Sequence, residues 1–398
     1  MNTEVLIVGG GLVGSSLAVA LASRACPVVL VEEGGGGRAT SPSYDDRAIA
    51  LAQGSRRIFE AIGLWDELAS GVCPIRQIHI SDRGHFGFTH LDSRRERVDA
   101  LGYVALAREL GRVLEVSMAA QPRIERLAPA RLVDFVIDAD GVTATLNRGG
   151  QATQVRARLL VACDGAQSEI RERLGLETRR WEYGQSAVIA NVTPALPHGN
   201  IAYERFTDTG PMAVLPMPEN RCSLVWTTDQ PGEERLLSLS DEHFREDLQQ
   251  RFGWRLGRFI RIGRRSSYPL ALLRAHRIVD RRVVLVGNSA HTLHPVAGQG
   301  FNLGLRDVAV LAGMLGDAIA AGADPGADDL LQTYAKRRQG DQLGVAMFTD
   351  GLARLFSNPL APLSLARNLG LVALDLFPAV KHEFARHTMG LAGGVIGR

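Results

Sequence analysis

The chain reads as an α/β protein: a doubly wound parallel sheet assembled from distant pieces of sequence, an inserted antiparallel sheet, and a helical C-terminus. Three observations carry this. Apolar residues 5–8 run into Gly9-Gly10-Gly11, then helical spacing, then a second apolar run, Val28-Val29-Leu30-Val31. Two later apolar runs, 158–163 and 282–286, also end at glycine turns, Asp164-Gly165 and Gly287. Between them, residues 186–228 alternate apolar and polar side chains with proline and glycine breaks, the pattern of a half-exposed antiparallel sheet.

Taken in order, strand, glycine turn, helix and strand within about thirty residues make a βαβ unit, whose parallel strands require a crossover helix. Residues 34–42 are rich in glycine, serine and proline and read as a loop; 47–62 resumes a helical pattern. Helical segments follow the later strands at 168–174 and 300–321. Beyond Asp328 the pattern is helical to about residue 387, broken at Pro359, Pro362 and Pro378, with a glycine-rich end from Gly390. The expected organisation is a nucleotide-binding domain in three parts (1–75, 101–178 and 276–328), a small strand insertion at 76–100, a sheet domain for substrate at 179–275, and C-terminal helices at 329–398.

Composition narrows the function. With 398 residues, 45% apolar and 22% charged, the chain has material for a large buried core and no sign of wholesale disorder. A net charge of +2, from 45 basic and 43 acidic residues, gives no field to collect nucleic acid. Basic pairs such as Arg56-Arg57 and Arg281-Arg282 are scattered among acids and read as solvated faces. Four cysteines without C-x-x-C spacing point to a reduced, cytoplasmic setting. No leader precedes the first strand, and the most apolar late stretch, 363–380, is interrupted by Arg367, Asn368 and Asp375, so no spanning helix is expected.

Chemistry concentrates in three motifs. Gly9-x-Gly11-x-x-Gly14 matches the dinucleotide fingerprint, yet with 43 glycines in the chain chance alone supplies roughly half a match, so context decides. The context is favourable: the motif sits between strand and helix, and Glu32 closes the second strand 18 residues after Gly14. The first glycine permits the tight turn, the second lets backbone amides reach a pyrophosphate, and the third lets helix pack on strand. An acid at Glu32 binds both hydroxyls of an adenosine ribose and disfavours a 2′-phosphate there. The second motif is Cys163-Asp164-Gly165-Ala166-x-Ser168-x-x-Arg171. The third runs from Gly287-Asn288-Ser289-Ala290-His291 through His294-Pro295 to Gly298-Gln299-Gly300-Phe301-Asn302-x-Gly304-x-x-Asp307.

In this order and at these distances the three motifs resemble those of the FAD-dependent aromatic hydroxylases of the 4-hydroxybenzoate hydroxylase type, over nearly the whole chain. The resemblance implies that Gly9, Gly11, Gly14 and Glu32 hold the ADP half of FAD, and that Asp164 and Gly165 serve both FAD and passing NAD(P)H. It further implies that Gly287 and Asn288 hold the ribityl chain, that Gly298, Gln299, Gly300, Phe301 and Asn302 form the helix start facing the flavin ring, and that Arg47 lies near the flavin. A helix start there would stabilise negative charge on reduced flavin. The family usually carries an acid at the position of Asn288; an amide still offers ribityl hydroxyls a donor and an acceptor.

Tyr44-Asp45-Asp46-Arg47-Ala48-Ile49-Ala50-Leu51, Ser81-Asp82-Arg83-Gly84-His85-Phe86-Gly87 and Thr292-Leu293-His294-Pro295-x-Ala297-Gly298-Gln299-Gly300 resemble the ubiquinone-biosynthesis branch, in particular its 2-polyprenyl-6-methoxyphenol hydroxylases. The implied activity is monooxygenation of a polyprenylated phenol, with NAD(P)H and O2 as co-substrates, through a flavin C4a-hydroperoxide. A flavin reductase or dehydrogenase acting on a lipid or quinone without oxygen insertion, and a non-enzymic flavoprotein subunit of a biosynthetic complex, remain as alternatives. Halogenation is disfavoured because no W-x-W-x-I pattern occurs.

Single residues allow competing readings. His291 and His294 lack a third ligand at suitable spacing, so no metal is expected. His294 is the candidate base for the phenol proton. Two stripes at helical spacing, one with Val345, Phe348, Leu352, Leu355 and Phe356 and the other with Leu365, Leu369, Val372 and Leu376, read first as core and second as a docking face. That face would meet the cytoplasmic side of a membrane or a partner in a ubiquinone-biosynthesis complex. Oligomeric state, prenyl length, ring position and the choice between NADH and NADPH are not legible.

Overall fold

A computed structural model describes residues 1–34, 47–294, 298–357 and 361–391. The strand Asn2–Val8 lies at the centre of a sheet, pairing in parallel with Val28–Val31 on one side and Gln151–Ala162 on the other. Ile124–Leu127 extends the sheet beyond Val28–Val31, and Val283–Leu285 beyond Gln151–Ala162, both in parallel. All seven residues Val5, Leu6, Ile7, Val28, Val29, Leu30 and Val31 are buried, as strands covered on both faces must be. The first crossover helix, Leu12–Ala22, and the long helix Gln299–Ala320 pack on this sheet.

The consequence for function is topological. Val8, Val31, Ala162 and Leu285 end neighbouring parallel strands, so Gly9, Glu32, Cys163-Asp164 and Gly287 emerge together at the carboxyl edge, where open α/β sheets bind ligands. Pieces of chain more than a hundred residues apart thereby converge.

A second sheet contains Thr178–Pro194, Ile201–Thr207, Gly210–Met217, Arg221–Asp229 and Ser266–Ala275. The segment from the 76–100 insertion joins it: Gln77–Asp82 pairs in parallel with Ile201–Thr207, and Phe88–Asp92 completes the edge. Helices Gln230–Ser238 and Asp241–Phe252 cover the outer face, where Phe244, Leu248 and Phe252 pack with Trp226. The inner face is turned toward the first domain.

One expectation changes. Residues 47–62 are not one helix: Ala48–Ala52 is a strand pairing antiparallel with Gly102–Leu106, and the helix is Gln53–Ala61. The run Ala-Ile-Ala-Leu-Ala fits either period, and the available partner strand decides. The helical C-terminus does divide at its prolines: Pro362 lies in the first turn of Ala361–Leu376 and Pro378 opens Pro378–Thr388, positions where a missing N–H is harmless. Pro359, like Tyr44, Asp45, Asp46, Pro295 and Ala297, lies outside the described residues. No helix among the described residues is long and apolar enough to cross a membrane.

Candidate active site

The three glycines of the first motif differ in what surrounds them. Gly9 has φ +105, and a Cβ there would lie 2.3 Å from the Cys163 carbonyl oxygen. A Cβ on Gly14 would lie 2.0 Å from the carbonyl oxygen of Gly9, which fixes the helix-to-strand contact. Gly11 has no protein atom within 4 Å of its Cβ position; it caps the helix Leu12–Ala22 and faces open space. Its smallness therefore serves something that packing alone does not explain. Glu32 closes the turn, accepting the Gly10 N–H at 2.5 Å and the Gly34 N–H at 3.2 Å.

The second and third motifs are bound to each other. Buried Arg171 donates to the Ser289 carbonyl at 2.8 Å and the Ala166 carbonyl at 2.9 Å, and Ser289 Oγ donates to the Ala162 carbonyl at 2.6 Å. Asp164 accepts the Ile170 N–H at 3.3 Å through Oδ2, and its Oδ1 is buried with no partner among the described residues. Burial raises the Asp164 pKa against the helping hydrogen bonds from Ser168 and Ile170. Gly287, with φ +64, packs within 3.1 Å of Val13 when given a Cβ, and Gly304 within 3.0 Å, so the third motif lies against the first helix.

Behind the third motif sits a buried charge cluster that the spacing argument missed. Asp307 is fully buried and receives Arg338 Nε at 2.6 Å, His291 Nε2 at 2.7 Å, Gln342 Nε2 at 3.0 Å and the Gly287 N–H at 3.3 Å. Arg338 also reaches Asp341 at 2.7 Å, and Arg306 reaches the same carboxylate at 2.6 Å. Although burial opposes ionisation, Arg338 and His291 hold the Asp307 carboxyl well below the usual range. A signal existed: Asp307 falls four residues after Leu303 and four before Leu311, on a stripe otherwise apolar and buried. His291 is thus a structural partner of Asp307, and no cluster of three or more metal-ligating side chains occurs among the described residues.

Asn302 binds protein on all sides. Its Oδ1 accepts the Ala52 N–H at 2.8 Å and Ser55 Oγ at 2.6 Å, and its Nδ2 donates to the carbonyls of Ala50 at 2.9 Å and Gly298 at 2.7 Å. It therefore clamps the strand Ala48–Ala52 to the start of the long helix, leaving no hydrogen-bonding capacity for a ligand. Asn302→Ala is expected to lower unfolding free energy by about 3 kcal/mol, read as a fall in urea midpoint, because several buried groups lose their partner at once.

One cavity of about 1040 Å³ joins these parts. Its wall includes Gly11, Arg47, Gly165, Asn288 and the helix start Gly298, Gln299, Gly300, Phe301 and Asn302; across from them stand Ala202, Glu204, Ala213, Leu215 and Val225 from the second sheet. His294 does not line it, although Thr292 and Leu293 do. That side chain is fully buried, edge-on to the Tyr183 ring at 5.0 Å between centroids, and burial lowers its pKa to about 4. A weak base that is not among the described residues lining the cavity is poorly placed to take a proton from a phenol there. This corrects the assignment of His294 as proton acceptor.

The arrangement fits a flavin dinucleotide. Gly11, Gly165 and Gly300 each have no protein atom within 4 Å of a Cβ position, and the orphaned Asp164 Oδ1 awaits a donor. A family profile described as an FAD binding domain matches residues 2–348. The chain is 44% identical to the ubiquinone hydroxylase UbiL of Rhodospirillum rubrum, over 97% of this chain and 89% of that one. This chain belongs to the FAD-dependent hydroxylases of ubiquinone biosynthesis. A second family member, the 3-demethoxyubiquinol 3-hydroxylase of Escherichia coli, is 31% identical over 98% of this chain and 99% of its own. The fold is also that of the p-nitrophenol 4-monooxygenase PnpA of Pseudomonas putida, with a TM-score of 0.82, 21% identity, and coverage of 98% and 99%.

Membership explains the shared cavity wall. FAD is the cofactor; Asn302 borders the cavity but spends its side-chain hydrogen bonds on protein, and the His294 side chain packs against Tyr183.

Proposed function

We infer that this hydroxylase adds oxygen to the aromatic ring of a polyprenylated phenol in ubiquinone biosynthesis, with NAD(P)H and O2 as co-substrates. The observation that carries the reading is the single cavity running from the three glycine motifs to the inner face of the second sheet. Bound FAD supplies the redox chemistry, accepting a hydride and delivering one atom of O2 to the ring.

The chain's own residues do the rest. The Gly11 backbone and the start of the helix Leu12–Ala22 would hold the pyrophosphate, Glu32 the ribose, and Asn288 the ribityl hydroxyls. The backbone from Gly298 to Phe301, at the positive end of a 22-residue helix, and Arg47 line the cavity and would stabilise negative charge on a flavin bound there. Apolar walls keep water from the reacting centre.

The cavity also lies along three C-terminal helices. Phe348 and Leu352 of Asp328–Ser357 line it, as do Phe377 and Val380 near the start of Pro378–Thr388. Phe377 is 61% exposed and Val380 57%, so these two form the mouth. The prenyl tail leaves there, and the apolar rim, with Leu369 and Leu376 also exposed, contacts the membrane surface that holds the lipid. Phe377→Asp is expected to raise KM for a long-tailed phenol at least tenfold and to leave a short-tailed analogue unchanged. Equal effects on both would contradict the tail path.

The reading is tested by deleting the gene in its host and identifying the accumulated aromatic lipid by mass spectrometry. A ubiquinone precursor lacking one ring oxygen is expected; an unchanged quinone pool would contradict it.

A further inference from the structure

The second sheet carries one feature the family motifs do not explain. Register places Ile80, Glu204, Ala213 and Val225 in a row across four strands, all four on the cavity wall. Among the described residues lining the cavity Glu204 is the one carboxylate, and no group among the described residues donates to it. Glu204 is half-buried and borders the cavity. A ligand that fills the cavity and displaces its water would leave this carboxylate without a partner unless it brings a donor of its own.

Resting on the proposed function, we propose that Glu204 accepts the phenolic proton of the substrate. The phenol O–H bond breaks, its proton passes to the carboxylate, and the oxygen lone pair pushes into the ring. A ring carbon then bonds the hydroxyl unit drawn from O2, and the ring is oxidised by two electrons, with NAD(P)H reducing the second oxygen atom to water. The carbon's hydrogen leaves as a proton, aromaticity returns, and Glu204 hands its proton back to the ring oxygen.

The surroundings suit that task. Burial alone raises the Glu204 pKa to about 7, where a carboxyl both takes and returns a proton readily. Other charged groups are turned elsewhere or engaged. Tyr203 and Arg205 project from the opposite face of the strand. Asp82, two residues beyond Ile80, is held by Asn368 and His85. Helix Asp328–Ser357 offers Phe348 and Leu352, Pro378–Thr388 offers Phe384, and Arg47 and Tyr268 lie elsewhere on the cavity wall.

The test uses FAD-loaded protein. Turnover of 2-geranylphenol by the parent should rise with pH through about 7, because only the ionised carboxylate accepts a proton. Glu204→Gln should carry flavin as before, lose roughly 100-fold in turnover, and show no such rise. Calorimetry gives a readout apart from activity: at pH above the titration the parent should bind 2-geranylphenol at least tenfold tighter than its methyl ether, and Glu204→Leu should lose that preference. If the parent hydroxylates while Glu204→Gln keeps its pH profile, or if Glu204→Leu keeps the preference, the assignment of Glu204 is overturned alone. If the parent forms no hydroxylated product, both it and the proposed function fall.

Discussion

Gly11→Val is expected to fold normally and to purify without flavin. Gly11 has φ −64 and ψ −177, an extended conformation open to any residue, and no protein atom lies within 4 Å of its Cβ position. The fold therefore has no reason to demand glycine there. What demands it is the approach of a pyrophosphate to the backbone at a helix start, which a branched side chain would block. Loss of at least 100-fold in FAD affinity is expected, with far-ultraviolet circular dichroism unchanged. Gly14→Val is the contrast: its Cβ would collide with the Gly9 carbonyl, so the loss there is of folded protein. Full flavin loading of Gly11→Val would show that the cofactor does not lie where the motif puts it.

The second large effect is on stability. Asp307→Ala leaves the fully buried Arg338 guanidinium without its main counter-ion and removes the acceptor for Gly287 N–H, His291 and Gln342. Breaking one side of a buried ion pair costs about 3–5 kcal/mol. The expected result is a marked drop in denaturation midpoint, and faster release of flavin because the Gly287 turn loses its anchor. Arg338→Met in the same chain should recover part of the loss, since an apolar pair is less costly than a lone buried charge. A double variant no more stable than Asp307→Ala would show that the cluster acts through its hydrogen bonds rather than its charge.

These residues also show what a sequence discloses. The strand–glycine–helix motifs were legible because each glycine follows an apolar run and each acid stands at a strand end. Their convergence follows from parallel pairing. The strand Ala48–Ala52 was not legible, because alternating alanines satisfy two periods and only the partner Gly102–Leu106 decides. Asp307 and Glu204 were legible in principle, each a lone acid on an otherwise apolar face, one at helical and one at strand spacing. His294 misled because histidine suggests proton transfer, whereas burial behind Tyr183 makes it a poor acceptor.

The central claim is that one cavity brings a flavin and a phenol together for oxygen transfer. Mass spectrometry of the product formed from 2-geranylphenol under heavy-isotope O2, with FAD-loaded protein and NAD(P)H, tests it most directly. The account predicts a hydroxylated ring carrying one heavy oxygen. Consumption of NAD(P)H with unlabelled or unaltered phenol would contradict it.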